Sequence, residues 1–280
     1  MVEDFVPAHA AHSIDHVSAS VAFNGYLSGT DWLQVLLAAE SCARELDLPI
    51  YADAIGAQVI PDSPSPGDGR PAAFNMSVSG IGGTFRSADE SIPQGFQFTR
   101  SELRVETSAY VRWQGFAEFL NQILTSVLPG YVDHIPIGQI RLEYRDRYIQ
   151  RVGLERANLP AWGQVIKASS FMPVFGTNRI EPWHSHVGWF EAHDEDRRRL
   201  VNLNVDTNEN FQYSPTELER TIFVHSLVGL QGPFTREHTR SELVSKEFFL
   251  LHERSKSVLS SILTESMQKS ISLRVDEKLI

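Results

Sequence analysis

Residues 110–149, YVRWQGFAEFLNQILTSVLPGYVDHIPIGQIRLEYRDRYI, decide the fold. From Trp113 the apolar residues Phe116, Ala117, Leu120, Ile123, Leu124 and Val127 recur at steps of three and four, which puts them on one face of a helix. Pro129 and Gly130 end it. After the turn, Ile140, Leu142, Tyr144 and Tyr148 alternate with Arg141, Glu143, Arg145 and Arg147, the pattern of a strand with one buried and one wet side. The pairing predicts a helix laid over an antiparallel sheet. The wet side of that strand is a ladder of guanidinium groups.

Upstream, Val17, Ala19, Val21 and Phe23 predict a first strand. Thr30 and Asp31 then open a helix whose expected buried side is Leu33, Leu36, Leu37, Ala43 and Leu46. Cys42 follows Val35 and Ala39 on a helix face, as a packed, inert thiol would. YADAIGAQVI reads as a strand, and the four prolines and two glycines of residues 61–71 read as a surface loop. Three strand candidates precede the central helix, around Phe74 to Val78, Phe96 with Phe98, and Leu103 to Thr107.

Downstream the pattern predicts that the order restarts from the arginine strand: a short helical piece around LPAWGQVIKAS, the strands HVGWFEAHD, RRLVNLNVDT and TIFVHSLVGL, and a helix over residues 241–268. The expected fold class is therefore α+β, with two joined halves, each an antiparallel sheet with helices packed on one face, and a strand-helix-strands-helix duplication. Residues 1–13 read as a flexible arm, 14–136 as the first half, 137–268 as the second, and 269–280 as a tail.

With 280 residues, 42% of them hydrophobic, the chain can bury a large core. No apolar run reaches the length of a membrane span, and the acidic, His-rich start lacks the pattern of a secretory signal, so a cytoplasmic location is expected. One cysteine excludes an intrachain disulfide framework, and a net charge of -10 opposes general attraction to nucleic acid or anionic membranes.

The candidate binding residues are Arg141, Arg145 and Arg147, with Trp183 and Trp189 as exposed aromatics. Guanidinium groups grip carboxylate or phosphate through a two-pronged geometry. Against this stands a network of cross-strand ion pairs with Glu102, Glu106 or Asp206. His184 and His186, near His193, share the parity of a metal pair, but no matched Cys or carboxylate spacing completes a set. No metal and no cofactor are assigned. The glycines of residues 79–85 precede no Lys-Ser or Lys-Thr and open no helix, so they predict a turn or bulge. No nucleophile motif is present, and no catalytic residue is assigned.

Tyr110 and Trp113, then Arg141, Leu142, Tyr144, Arg145, Tyr148 and Ile149, and finally Leu251, His252, Thr264 and Met267 form a pattern that resembles a sporadically distributed family of uncharacterised prokaryotic proteins. It departs where Asp146 and Arg147 separate Arg145 from Tyr148. The resemblance carries no established activity; by analogy of distribution it implies an antitoxin-like, immunity or phage-defence setting. The expected function is a non-enzymatic component that binds another protein, such as the product of an adjacent gene. The alternatives are a nucleic-acid-binding sheet face of Arg and aromatic residues, and a metal-dependent hydrolase or nuclease around His184, His186, Asp194 and Glu195.

Overall fold

The computed structural model describes residues 4–9, 12–61, 74–88, 94–154, 161–169, 171–172, 180–210, 214, 216–235 and 237–276. Among the described residues ten strands are formed: β1 (Val6–Pro7), β2 (Ile14–Phe23), β3 (Ile50–Pro61), β4 (Phe74–Arg86), β5 (Gln94–Phe98), β6 (Glu102–Thr107), β7 (Ile137–Gly153), β8 (His184–Ala192), β9 (Arg198–Asn210) and β10 (Glu217–Gln231). They make one antiparallel sheet in the order β3-β4-β5-β6-β2-β7-β10-β9-β8, with β1 added beside the end of β7. The α-helices among the described residues are α1 (Gly29–Glu45), α2 (Trp113–Val127), α3 (Pro129–Val132), α4 (Ser241–Ile262) and α5 (Glu265–Ser270). None in the described residues is long and apolar enough to cross a membrane.

The arginine strand is the axis of the sheet. β7 pairs with β2 on one side and along its full length with β10 on the other. Direct cross-strand partners point to the same side. Val17, Ala19 and Val21 of β2 therefore share a side with Tyr144, Leu142 and Ile140 of β7, and these with Ser226, Val228 and Leu230 of β10. That side is covered by α2, which packs on β6, and by α4, which packs on β7 and β10. The α4 stripe Val244, Phe248, Leu251, Val258, Leu259 and Ile262 fills the space above the sheet. We call this the helix face, and the opposite side the polar face.

Several expectations change. The two expected sheets are one, continuous through the β2–β7 pair. On α1 the buried residues are Trp32, Val35, Ala39, Cys42 and Ala43, while Leu33 and Leu37 are 53% and 58% exposed. Trp32 stacks on Phe98, and the small residues after it let α1 sit close to α2 and α3; a large aromatic anchor outweighs a count of leucines. The burial of Cys42 is as expected, and it pushes the thiol pKa up. The described part of the N-terminal arm is docked: Phe5 is buried against Trp162, and β1 pairs with β7.

The closing helix is broken in two. Leu263 is extended, Thr264 donates its backbone N–H to Val165 O, and its side chain caps the first turn of α5 by accepting from Met267 N. The glycine cluster lies within β4, where the register with β3 shifts between Ile55 and Ala57, a bulge rather than a phosphate loop. Gly83 is required by close packing, because a Cβ there would meet the Tyr51 ring at 2.5 Å and the Phe98 ring at 2.9 Å. Most of the proline-rich stretch 61–71 lies outside the described residues.

Candidate functional site: a pocket under the helix face

Among the described residues most charges on the helix face are paired, Arg220 with Glu209 and Arg199 and Arg254 with Glu191; one is not. Asp146 follows Ile140, Leu142 and Tyr144 at the same parity on β7, so the strand carries its side chain inward, to 1% exposure. Ser13 Oγ donates to its carboxyl at 2.6 Å, the one hydrogen bond to that side chain among the described residues. Burial pushes the carboxyl pKa up to about 7; the Ser13 bond works in the opposite direction, and nearby Asp15 adds to the rise. Asp146 is thus poised between its charged and neutral forms at neutral pH.

One residue pair along, the Tyr144 hydroxyl and His252 Nδ1 of α4 are 2.8 Å apart. Burial, then the Lys256 ammonium, pushes the His252 pKa down to about 3, so the imidazole is neutral. The approach of its Nε2 to Glu253 at 3.9 Å is accordingly no ion pair; Glu253 is taken by Lys256, whose Nζ donates to both carboxylate oxygens at 2.8 and 2.9 Å. With the phenol donating, His252 Nδ1 is the acceptor and the ring proton sits on Nε2. Trp113 lies flat on the imidazole, centroids 4.3 Å apart and planes 5° from parallel. Tyr110 meets Tyr144 edge-on.

These groups surround a pocket of about 650 Å³. Five segments build it: His12 to Ile14 before and at the start of β2, Tyr110 to Gln114 leading into α2, Tyr144 and Asp146 on β7, His252 to Leu259 on α4, and Ser270 to Arg274 after α5. Its volume falls in the range of small-molecule sites. His12 Nδ1 is buried without a hydrogen-bond partner, and Arg112 and Arg274 stand exposed at the mouth. The arrangement offers a carboxyl that exchanges its proton near neutrality, a fixed neutral imidazole and aromatic walls. Among the described residues no cluster of three His, Cys, Asp or Glu could hold a metal ion.

The residues singled out in the sequence are divided between the two faces. Arg141, Arg145 and Arg147 lie on the polar face, as expected. Arg141 is bound to Glu102 at 2.7 Å and Arg147 to Asp15 at 2.7 Å, so the ion-pair network accounts for two of the three. Arg145 is exposed and makes no ion pair or side-chain hydrogen bond among the described residues. It sits in a cross-strand row His16, Arg145, His225, Asn204, His186. Of the other proposed partners, Glu106 faces Arg104 and His16, and Asp206 faces His184.

Trp183 and Trp189 are not beside the arginines. Trp189 pairs with Val201 on the helix face, stacks on Phe171 at 4.4 Å and donates to Glu191. Trp183 is 8% exposed, with its backbone N–H donating to Thr207 Oγ1, so its expected exposure is corrected. His184 and His186 do point to one side, onto the polar face, where they meet Asp206 and Asn204. Asp194 is used by Arg197, remote from both histidines' partners.

Sequence reasoning passed over Ser13 and Lys256 and left Asp146 among carboxylates not separable from solvated charge. The signal for Asp146 was present: in an alternation of Ile140, Leu142, Tyr144 and Tyr148 it occupies the inward position between the two tyrosines. Tyr110, Trp113, Tyr144 and His252 meet in this pocket. No family model matches the chain, and no curated protein matches it.

Proposed function

We propose that the chain is a binding protein whose recognition site is the pocket between β7, the approach to α2, and α4. One observation carries this reading: a buried carboxyl that meets no cation among the described residues faces a cavity walled by Trp113 and Tyr110. A buried charge is expensive, and a pocket with convergent polar groups and a displaced pKa is where such an expense is repaid by a ligand. Crystals soaked with a small-fragment library test it. Fragments seated against Trp113 and Asp146 are expected; binding at other places with this pocket consistently empty would overturn the reading.

A second reading rests on Arg145. An exposed guanidinium in mid-sheet, flanked by His16 and His225 and without an ion-pair partner among the described residues, supports docking of an acidic protein on the polar face. An antitoxin-like or defence-associated role, with the product of an adjacent gene as partner, would be a special case. Arg145→Glu should then release a companion that copurifies with the unaltered protein, at unchanged melting temperature. Retention of the companion would sink this reading.

The topology also supports an origin by duplication. The first strands of the two halves, β2 and β7, pair at the centre, and in each half a meander, β4-β5-β6 or β8-β9-β10, returns its last strand beside the first and leads into a helix, α2 or α4.

A further inference from the structure

We infer that the pocket takes a linear zwitterion, with an ammonium group at the Asp146 floor, an anionic group at the Arg112 and Arg274 rim, and an apolar body between them. The inference rests on the pocket reading and names the chemical class of its ligand. At the floor, the only described partner of the carboxyl is a hydroxyl, and the nearest lysine on α4 is already held by both oxygens of Glu253. A carboxylate in that position lacks a counter-charge, and a ligand ammonium supplies it while replacing lost hydration with a charge-assisted hydrogen bond. The aromatic walls suit the same group, since Trp113 and Tyr110 line the pocket and an aromatic ring face attracts a cation.

The rim has the opposite sign. Arg112, extended just before α2, and Arg274, beyond α5, both line the mouth and are exposed, and neither makes an ion pair among the described residues. Two guanidinium groups around one opening are a carboxylate or phosphate clamp. The apolar part of the lining includes Ile14, Leu259, Ile271 and Leu273. A plain anion would be repelled by Asp146 once it ionises, and a plain cation would have to pass two arginines. A molecule with both charges, separated by an apolar span, meets each end with its complement.

The groups that face Asp146 are His12 and Asp15 from the N-terminal arm and β2, Tyr144 and Tyr148 on β7, Tyr110 and Arg112 from the approach to α2, His252 and Lys256 from α4, and Arg274 from the C-terminal turn. Burial lowers the His12 and His252 pKa values and raises those of the three tyrosines. Asp146 is therefore the group whose charge changes on passing through about pH 7. Affinity for an ammonium should weaken as pH falls through that value.

Calorimetric titration of the full chain with ω-aminooctanoate, octanoate, octylamine and the peptide Ala-Leu-Ala, at pH 8 and pH 6, tests the inference. The zwitterionic acid or the peptide should bind at least about tenfold tighter than either singly charged probe. That advantage should shrink at pH 6, in Asp146→Asn, and in the Arg112→Gln, Arg274→Gln double variant. Binding of ω-aminooctanoate assigns a non-peptide ligand chemistry; binding of the peptide alone assigns a short peptide with free ends. Octylamine or octanoate binding as tightly as the zwitterions, or zwitterion binding indifferent to Asp146→Asn, overturns it. If no probe binds while soaked fragments still fill the pocket, the zwitterion falls and the pocket reading stands; if fragments also avoid the pocket, both fall.

Discussion

The two faces of the sheet differ in what they leave unpaired: the helix face buries Arg220 against Glu209 and holds Glu191 between Arg199 and Arg254, yet gives Asp146 no cation among the described residues. On the polar face Arg141, Arg147 and Arg151 have Glu102, Asp15 and Glu219 within ion-pair distance, and Glu143 has His225. Water remains in reach there, so each group costs little and each pair contributes little. On the helix face Asp146 has a hydroxyl and a cavity, and His252 a phenol and an indole. Polar groups are common where they are cheap and say little about function; the few kept where they are costly are the ones that need a reason. A row of arginines is conspicuous in a sequence, but the single inward aspartate carries more information.

The largest expected effect comes from removing that expense. The Asp146 pKa is raised from 3.8 to about 7, so its contribution to stability is fully present below the unfolded value and is lost as pH rises through about 7. Asp146→Asn keeps the size of the side chain and an acceptor for Ser13. It should stabilise the protein at pH 8 by about 2 kcal/mol, under a ceiling of about 4 kcal/mol set by the pKa displacement, and leave it nearly unchanged at pH 4. Urea unfolding at both pH values checks this. A loss of stability at pH 8 would mean that the carboxylate is compensated after all.

The same variant exposes the histidine. His252 is depressed to about 3 from 6.5, so the stability linked to it is present above pH 6.5 and lost as pH falls towards 3. In the unaltered protein this slope opposes that of Asp146 between roughly pH 4 and 6.5. With Asp146→Asn in place, stability should rise across that window, and His252→Asn added to it should flatten the profile. A profile already flat in the single variant would show that His252 titrates normally.

Much of the scaffold was legible because periodicity reports burial directly. The α2 stripe and the β7 alternation emerge as read, and so does the packed Cys42. Periodicity fails where two stripes compete. On α1 the leucines at 33 and 37 and the anchor Trp32 lie about one residue apart around the helix, and only the partner surface, with Phe98 on it, decides between them. The site was hidden for a related reason. Parity says that Trp183 and Trp189 point opposite to His184 and His186, but β8 is three strands from β7, and only the pairing through β9 and β10 shows which set shares a face with the arginines. The pocket draws on residues from 12 to 274, a convergence that no local pattern contains.

A smaller effect belongs to the second polar pair of the helix face. Tyr144→Phe preserves the ring that meets Tyr110 and removes the hydroxyl 2.8 Å from His252 Nδ1. The imidazole is left with a buried acceptor facing nothing, which costs about 1–2 kcal/mol in denaturant unfolding. It can recover part of that by moving its proton to Nδ1, and nitrogen chemical shifts of the ring would reveal the exchange. No change in either measurement would show that the pair is not bonded in solution.

The smallest effect should come from the most conspicuous residues. A double-mutant cycle on Arg141→Ala and Glu102→Ala should return a coupling under about 1 kcal/mol, because both side chains are partly exposed and salt screens them. Arg145→Ala, with no ionic partner to lose among the described residues, should fall within about 0.5 kcal/mol of the unaltered protein. A coupling of several kcal/mol at Arg141 would mean that the polar face excludes water, as it would if another part of the chain or a second molecule covered it. The contrast between the faces would then be one of partner and not of cost, and Arg145 would move from the margin of the functional argument to its centre.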